Sequence, residues 1–281
     1  MKKIICLILA ATLLMSGCSS INKVDEEKVK DITDKVTKTL INSTNREKAE
    51  KSESKTINAG GLNTLKINSS VGDIKISTHE SEDAVIKLNI SAKTASKEKS
   101  EQVIDDFTYS IEENSESIEI DTSFHSILAE NINLSTNLEI TLPENIENII
   151  ISLNVGDISI KNINGKYEVK NNVGSINIEN SKASYNLTTN VGEINVSEAA
   201  AYGSSEFIIN TGDIKISLND IKDAKSIKAS TDVGDIDIDV PNDSSYEAVI
   251  NELIEKEKTI SNGGKDTQIT VRTGVGSVEF N

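Results

Sequence analysis

The chain has 281 residues, 45 of them Asp or Glu against 29 Lys or Arg, for a net charge of −16. So acidic a surface excludes nucleic acid as a partner, because binding depends on Lys and Arg displacing counterions from phosphates. It excludes polybasic attachment to anionic lipid for the same reason, while the length suffices for one large all-β unit or two smaller domains.

Lys2 and Lys3 precede an apolar run from Ile4 to Met15, too short for a spanning helix, which takes about 20 residues. Residues 1–17 therefore read as a signal peptide. Its end, Met15-Ser16-Gly17-Cys18, resembles the lipobox of bacterial lipoproteins, with Met15 standing where Leu is usual. In that motif small residues precede the cysteine that becomes the acylated first residue. Cys6 leaves with the signal and Cys18 is the other of the two cysteines, so no disulfide within the mature chain competes for it. The expectation is a body held on the extracytoplasmic face of the cell membrane by lipid on Cys18.

Residues 18–55 read as a tether. Val29, Ile32, Val36 and Leu40 fall at helical spacing over 25–41, a thin stripe that suits a partly formed helix. Residues 42–55 are Ser, Lys and Glu with almost nothing apolar, a linker composition.

Residues 56–148 read as an irregular β part that caps the repeat. Strands are expected over 84–91, 108–112, 117–122 and 137–142, with a short helix over 96–106.

A repeat governs residues 149–281 and has one earlier copy. Val-Gly-Asp-Ile-x-Ile and its variants recur on Gly72, Gly156, Gly174, Gly192, Gly212, Gly234 and Gly276. From Gly156 the intervals run 18, 18, 20, 22 and then 42, the last wide enough for two coils. That period is too short for a βαβ unit and suits a β-solenoid of about 18–22 residues per coil. Two and four residues after each glycine come apolar pairs such as Ile158/Ile160 and Ile214/Ile216, with a polar residue between. Seven and five residues before it come pairs such as Ile149/Ile151 and Tyr185/Leu187. Both are strands with one buried face, yet the alternation slips by one residue at the glycine. A bend or bulge permits this, so the glycines are expected as corners. Asn154, Asn172, Asn190 and Asn210, two residues before their glycines, would stack about 4.8 Å apart into a ladder. Residues 243–262 fit either a helix carrying Tyr246, Val249, Ile250 and Leu253 or a degenerate coil, since Tyr246-x4-Asn251 copies Tyr185-x4-Asn190.

Leu138-Glu-Ile-Thr-Leu-Pro143, the run Ile149 to Ile158, the repeated Gly-Asp-Ile strands and the closing Thr273 to Phe280 together resemble the "putative adhesin" family of bacterial envelope proteins. The resemblance spans roughly residues 57–281. It implies an exported or membrane-attached β-solenoid with no catalytic residues to carry over.

The residues point to no active site. His79 and His125 are the two histidines and belong to no nucleophile motif, and a His/Cys zinc spacing is missing. Tyr167, Tyr185 and Phe207 fall in the inward register, as core rather than as platforms for sugar rings. No cofactor is required. Calcium is the one candidate, at Glu193, Asp213 and Asp235, which follow consecutive glycines and would stack as carboxylates. The expectation is a surface lipoprotein serving as a structural or adhesion module, with an unidentified envelope or surface partner. An envelope-stress regulator and a carbohydrate-active β-helix enzyme are the alternatives.

Overall fold

The structure, a computed structural model, describes residues 46–124, 132–252 and 257–281. The signal peptide, Cys18, the expected tether helix and His125 lie outside them.

Strand β1 (Glu47–Asn58) begins within the segment expected as tether. It pairs antiparallel with β4 (Asp83–Thr94) along its whole length. Its linker-like composition reflects exposure, since only Ala49 and Ile57 are buried in it. Backbone pairing, not side-chain burial, makes it a strand, and its alternating Lys and Glu suit a sheet edge.

Strands β2 (Thr64–Val71) and β3 (Ile74–His79) flank Gly72 and form the first coil. The chain then leaves the stack. After β4, helix α1 (Lys97–Asp106) starts where Ser96 Oγ accepts the Lys99 amide. It buries Val103 and Ile104 as it packs on β1 and β4. Next come β5 (Ser110–Glu113), β6 (Ser117–Thr122) and β7 (Asn133–Pro143). Strand β6 pairs parallel with β2, and β7 pairs parallel with β3. Strands β8 (Asn148–Val155) and β9 (Ile158–Lys161) then pair with the opposite edges of β2 and β3. The first coil to be written is thus enclosed by two later ones.

Beyond this the coils rise in sequence order. Strands β10 (Gly165–Val173) and β11 (Ile176–Glu179) flank Gly174. Strand β12 (Lys182–Val233) runs unbroken through Gly192 and Gly212, and β13 (Ile236–Asp239) follows Gly234. Every stacking is parallel and in register, so Ile158, Ile176 and Ile194 form one inward column. Burying one such isoleucine is worth about 1.5–3 kcal/mol.

The C-terminal end repeats the overshoot. Strand β14 (Tyr246–Glu252) turns back antiparallel into β15 (Lys258–Asn262). Strand β16 (Thr267–Val275), with β17 (Val278–Phe280) after Gly276, then returns between β12 and β14, paired parallel to both. The long interval between Gly234 and Gly276 therefore does not hold two stacked coils. The Gly276 coil sits directly on the Gly234 coil, with β13 beside β17. Nor is the segment a helix. Tyr246, Ala248 and Ile250 alternate inward as a strand, and Leu253 lies outside the described residues. The resemblance of Tyr246 to Tyr185 is out of register by two. Ala248 faces Ile269, seven residues before Gly276, and Tyr246 faces Thr267.

Residues Glu47–Asn281 form one compact unit, and the buried core among the described residues runs through it. Tyr167, Tyr185 and Phe207 are buried within it, with ring centroids 5.6 and 5.8 Å apart in succession. A compact unit with a continuous core is the kind that folds alone.

Candidate functional site: the glycine corner

The repeated residues meet along one edge of the solenoid, at the bend that each glycine makes in the chain. At Gly212, φ is +134°, and a Cβ would stand 1.8 Å from the Gly192 carbonyl oxygen. Gly156 stands in the same relation to Gly72, which is distant in sequence but only one coil below. Backbone thus packs on backbone down the edge, which only glycine allows. The column links Gly72, Gly156, Gly174, Gly192, Gly212, Gly234 and Gly276 in that order, and Thr136 of β7 stands beneath Gly72.

Polar side chains on both sides satisfy this backbone. Three residues before the glycine, the inward Asn171, Thr189, Thr231 and Thr273 each donate to the carbonyl of the preceding coil's glycine. The Asn171 bond is 2.9 Å, to Gly156 O. This inner column was not read from the sequence. A polar residue recurring at an otherwise inward offset is the signal that would have found it.

Two residues before the glycine, Asn190 Nδ2 donates to Asn172 Oδ1 at 2.6 Å and Asn210 Nδ2 to Asn190 Oδ1 at 2.9 Å. Asn154 holds the same register position one coil earlier. Two further asparagine rungs join Asn195 to Asn177 and Asn180 to Asn162. Asn162 and Asn180 have φ of 61° and 51°, and Glu198 follows at 52°, which marks a second corner six residues after the glycine. Asparagine tolerates that left-handed geometry.

The residues after the glycines carry the carboxylates considered for calcium, and here the structure gives them another occupation. Each accepts from the amide one coil on: Asp157 N–H donates to Asp73 at 3.1 Å, Ser175 to Asp157 at 2.8 Å and Asp235 to Asp213 at 2.9 Å. Ser277 donates to Asp235 through both its amide and its hydroxyl. Glu193 instead takes the Lys215 ammonium at 2.7 Å. The Ser277 amide holds the Asp235 carboxyl below its ordinary pKa, and the Lys215 hydrogen bond does the same for Glu193. Among the described residues, no three His, Cys, Asp or Glu side chains converge as a metal site. Asp213 and Asp235 thus cap amides of the next coil, and Glu193 pairs with Lys215.

An open groove of about 450 Å³ lies over β5, β6, β2, β8 and β10, between Lys66, Glu119, Asp121, Ile150 and Lys170. Lys66 and Glu119 pair across it at 2.8 Å. On the other flank Asp237 has a buried Oδ1 without a partner. Burial, with Asp239 and Glu279 nearby, pushes its carboxyl up. His79 is half-buried, with Nε2 2.6 Å from the Asp83 carbonyl. Among the described residues no helix is long and apolar enough to cross a membrane.

The profile of the Toastrack DUF4097 family matches residues 133–279. No curated protein matches the chain. Solved structures similar to it include a "putative cell adhesion protein" from Clostridium sporogenes, 18% identical, covering 83% of this chain and 99% of that one, with a TM-score of 0.33. A "putative adhesin" from Bacteroides fragilis is 12% identical, covers 82% of this chain and 97% of that one, and has a TM-score of 0.39. Another from Parabacteroides merdae is 14% identical, with 82% and 96% covered and a TM-score of 0.34.

Proposed function

The chain belongs to the Toastrack DUF4097 family, and from that premise we propose that it is a non-catalytic interaction module of the cell surface, tethered by lipid on Cys18. The observation that carries the reading is the use made of the repeated polar residues. The columns are rungs between coils: asparagine bonds to asparagine, threonine to the glycine carbonyl of the preceding coil, and aspartate to the amide of the following one. Residues committed in this way stiffen a rod rather than converge on a substrate. An all-β stack bonded from coil to coil suits display at a distance from a membrane. The motif at Met15 to Cys18 and the polar residues after it supply the anchor and the spacing.

Two measurements test the parts separately. Cells expressing the chain are fractionated and labelled with a clickable fatty acid, beside a Cys18→Ala variant. The wild type should take up label and sediment with membranes, and the variant should do neither. An equally membrane-bound variant would remove the tether from the account. Crosslinking on intact cells should join the body to an envelope or surface component. Turnover of envelope polysaccharide by the purified body would contradict the non-catalytic reading.

A further inference from the structure

We propose that the glycine corner is a self-association edge, on which a second copy of this chain docks side by side and in parallel. Val155, Val173, Val191, Val233 and Val275 stand directly before their glycines, 41–60% exposed. Cross-coil register aligns Val155 with Val173, Val173 with Val191, and Val233 with Val275. Thr211 takes the same position on the Gly212 coil. Among the described residues, five of the six large hydrophobic side chains left exposed belong to this one column, Ile150 being the sixth. The inward alternation does not require valine there, because the side chain points away from the core.

The columns on either side say what covers it. Asn154, Asn172, Asn190 and Asn210, followed by Asp232, run along one flank, and the carboxylates of Asp73, Asp157, Glu193, Asp213 and Asp235 run along the other. A two-fold axis parallel to the solenoid reverses that order on the facing copy. On the Gly156, Gly192 and Gly212 coils, Asn154, Asn190 and Asn210 then meet Asp157, Glu193 and Asp213 of the other copy across the seam, while on the Gly234 coil Asp232 meets Asp235. Each ladder bond uses one N–H of an amide that has two, and each capping bond one oxygen of a carboxylate that has two. The spare N–H and the spare oxygen are thus complementary across the seam. A two-fold perpendicular to the solenoid would set carboxylates against carboxylates, which an acidic chain disfavours. The parallel pair also brings both copies of Glu47 to the same end.

Seven coils at about 4.8 Å make a seam roughly 29 Å long between the end coils. At a width of about 12 Å the pair buries roughly 700 Å², the size of a weak, reversible contact.

The test uses the compact unit Glu47–Asn281, which contains no cysteine. Val173→Cys, Val191→Cys and Val233→Cys are each oxidised alone, beside Lys228→Cys on the flat outer face. Parallel docking sets identical residues opposite one another, so each valine variant should form disulfide dimers about ten-fold faster than Lys228→Cys. Sedimentation of the parent should show concentration-dependent association that Val173→Lys/Val191→Lys abolishes. Equal oxidation rates at all four positions would overturn the proposal. So would faster pairing of Val155→Cys with Val275→Cys than of either with itself, which signifies antiparallel docking. A parent that stays monomeric at all concentrations would assign the column to a different partner and overturn it as well.

Discussion

The Asp235 carboxylate accepts two hydrogen bonds from Ser277, at 2.8 Å from its amide and 2.9 Å from its hydroxyl, across 42 residues of sequence. The two lie on adjacent coils because β16 and β17 return to the Gly234 coil after the chain has passed it. Aspartate after glycine therefore fastens the C-terminal coil, and its protonation loosens that fastening.

Asp235 has a folded pKa below its ordinary value of 3.8. Its contribution is complete above the unfolded value and fades as pH falls through the folded one. Thermal unfolding followed from pH 6 to pH 2 should show a shallower acid loss for Asp235→Ala than for the wild type, with the gap between them closing at the acid end. Parallel curves over the whole range would refute the capping role.

Asp237 behaves in the opposite sense. Its folded pKa is raised, by burial first and by Asp239 and Glu279 after it. The ionised form is penalised in the fold, so its cost is complete above the folded pKa and vanishes below the unfolded value of 3.8. Asp237→Asn should raise the unfolding midpoint at pH 7 and leave it unchanged near pH 3. A variant less stable than wild type at pH 7 would show that the carboxylate is a needed partner.

Gly212→Ala should cost more than about 4 kcal/mol, because the new methyl meets backbone and the backbone conformation is strained for it. At Gly61 no atom lies within 4 Å of the added Cβ, and Gly61→Ala should stay within about 1 kcal/mol of wild type. Urea unfolding of the two variants measures both. Similar losses would show that the corner accepts a side chain.

The corners and inward columns were legible because glycine at a fixed offset and isoleucine at even spacing suit hardly any arrangement except stacked coils. The strands on either side of α1 were legible from alternation alone. The order of coils was not. The interval from Gly234 to Gly276 fits two coils in sequence as well as one coil reached after an overshoot, and the choice rests on long-range pairing that no local pattern records. Tyr246 misled for a related reason. The motif it shares with Tyr185 describes an inward strand residue, and a shift of two keeps it inward while changing its partner. Strand β1 escaped notice because an exposed edge strand has no apolar face to reveal it. At the corner, the asparagine ladder could be read from spacing, whereas the cap on each neighbouring amide depends on which residue lies one coil away.

The overshoot carries the whole arrangement of the C-terminal end, and one pair of cysteines reports on it. Strand β16 places Arg272 beside Ser230 on one edge and beside Asn251 on the other. In the cysteine-free unit, Ser230→Cys/Arg272→Cys should close an intramolecular disulfide under mild oxidation, and Ser230→Cys/Asn251→Cys should remain open. Closure of the second pair and not the first would mean that the coils stack in the order they are written, contrary to the fold described.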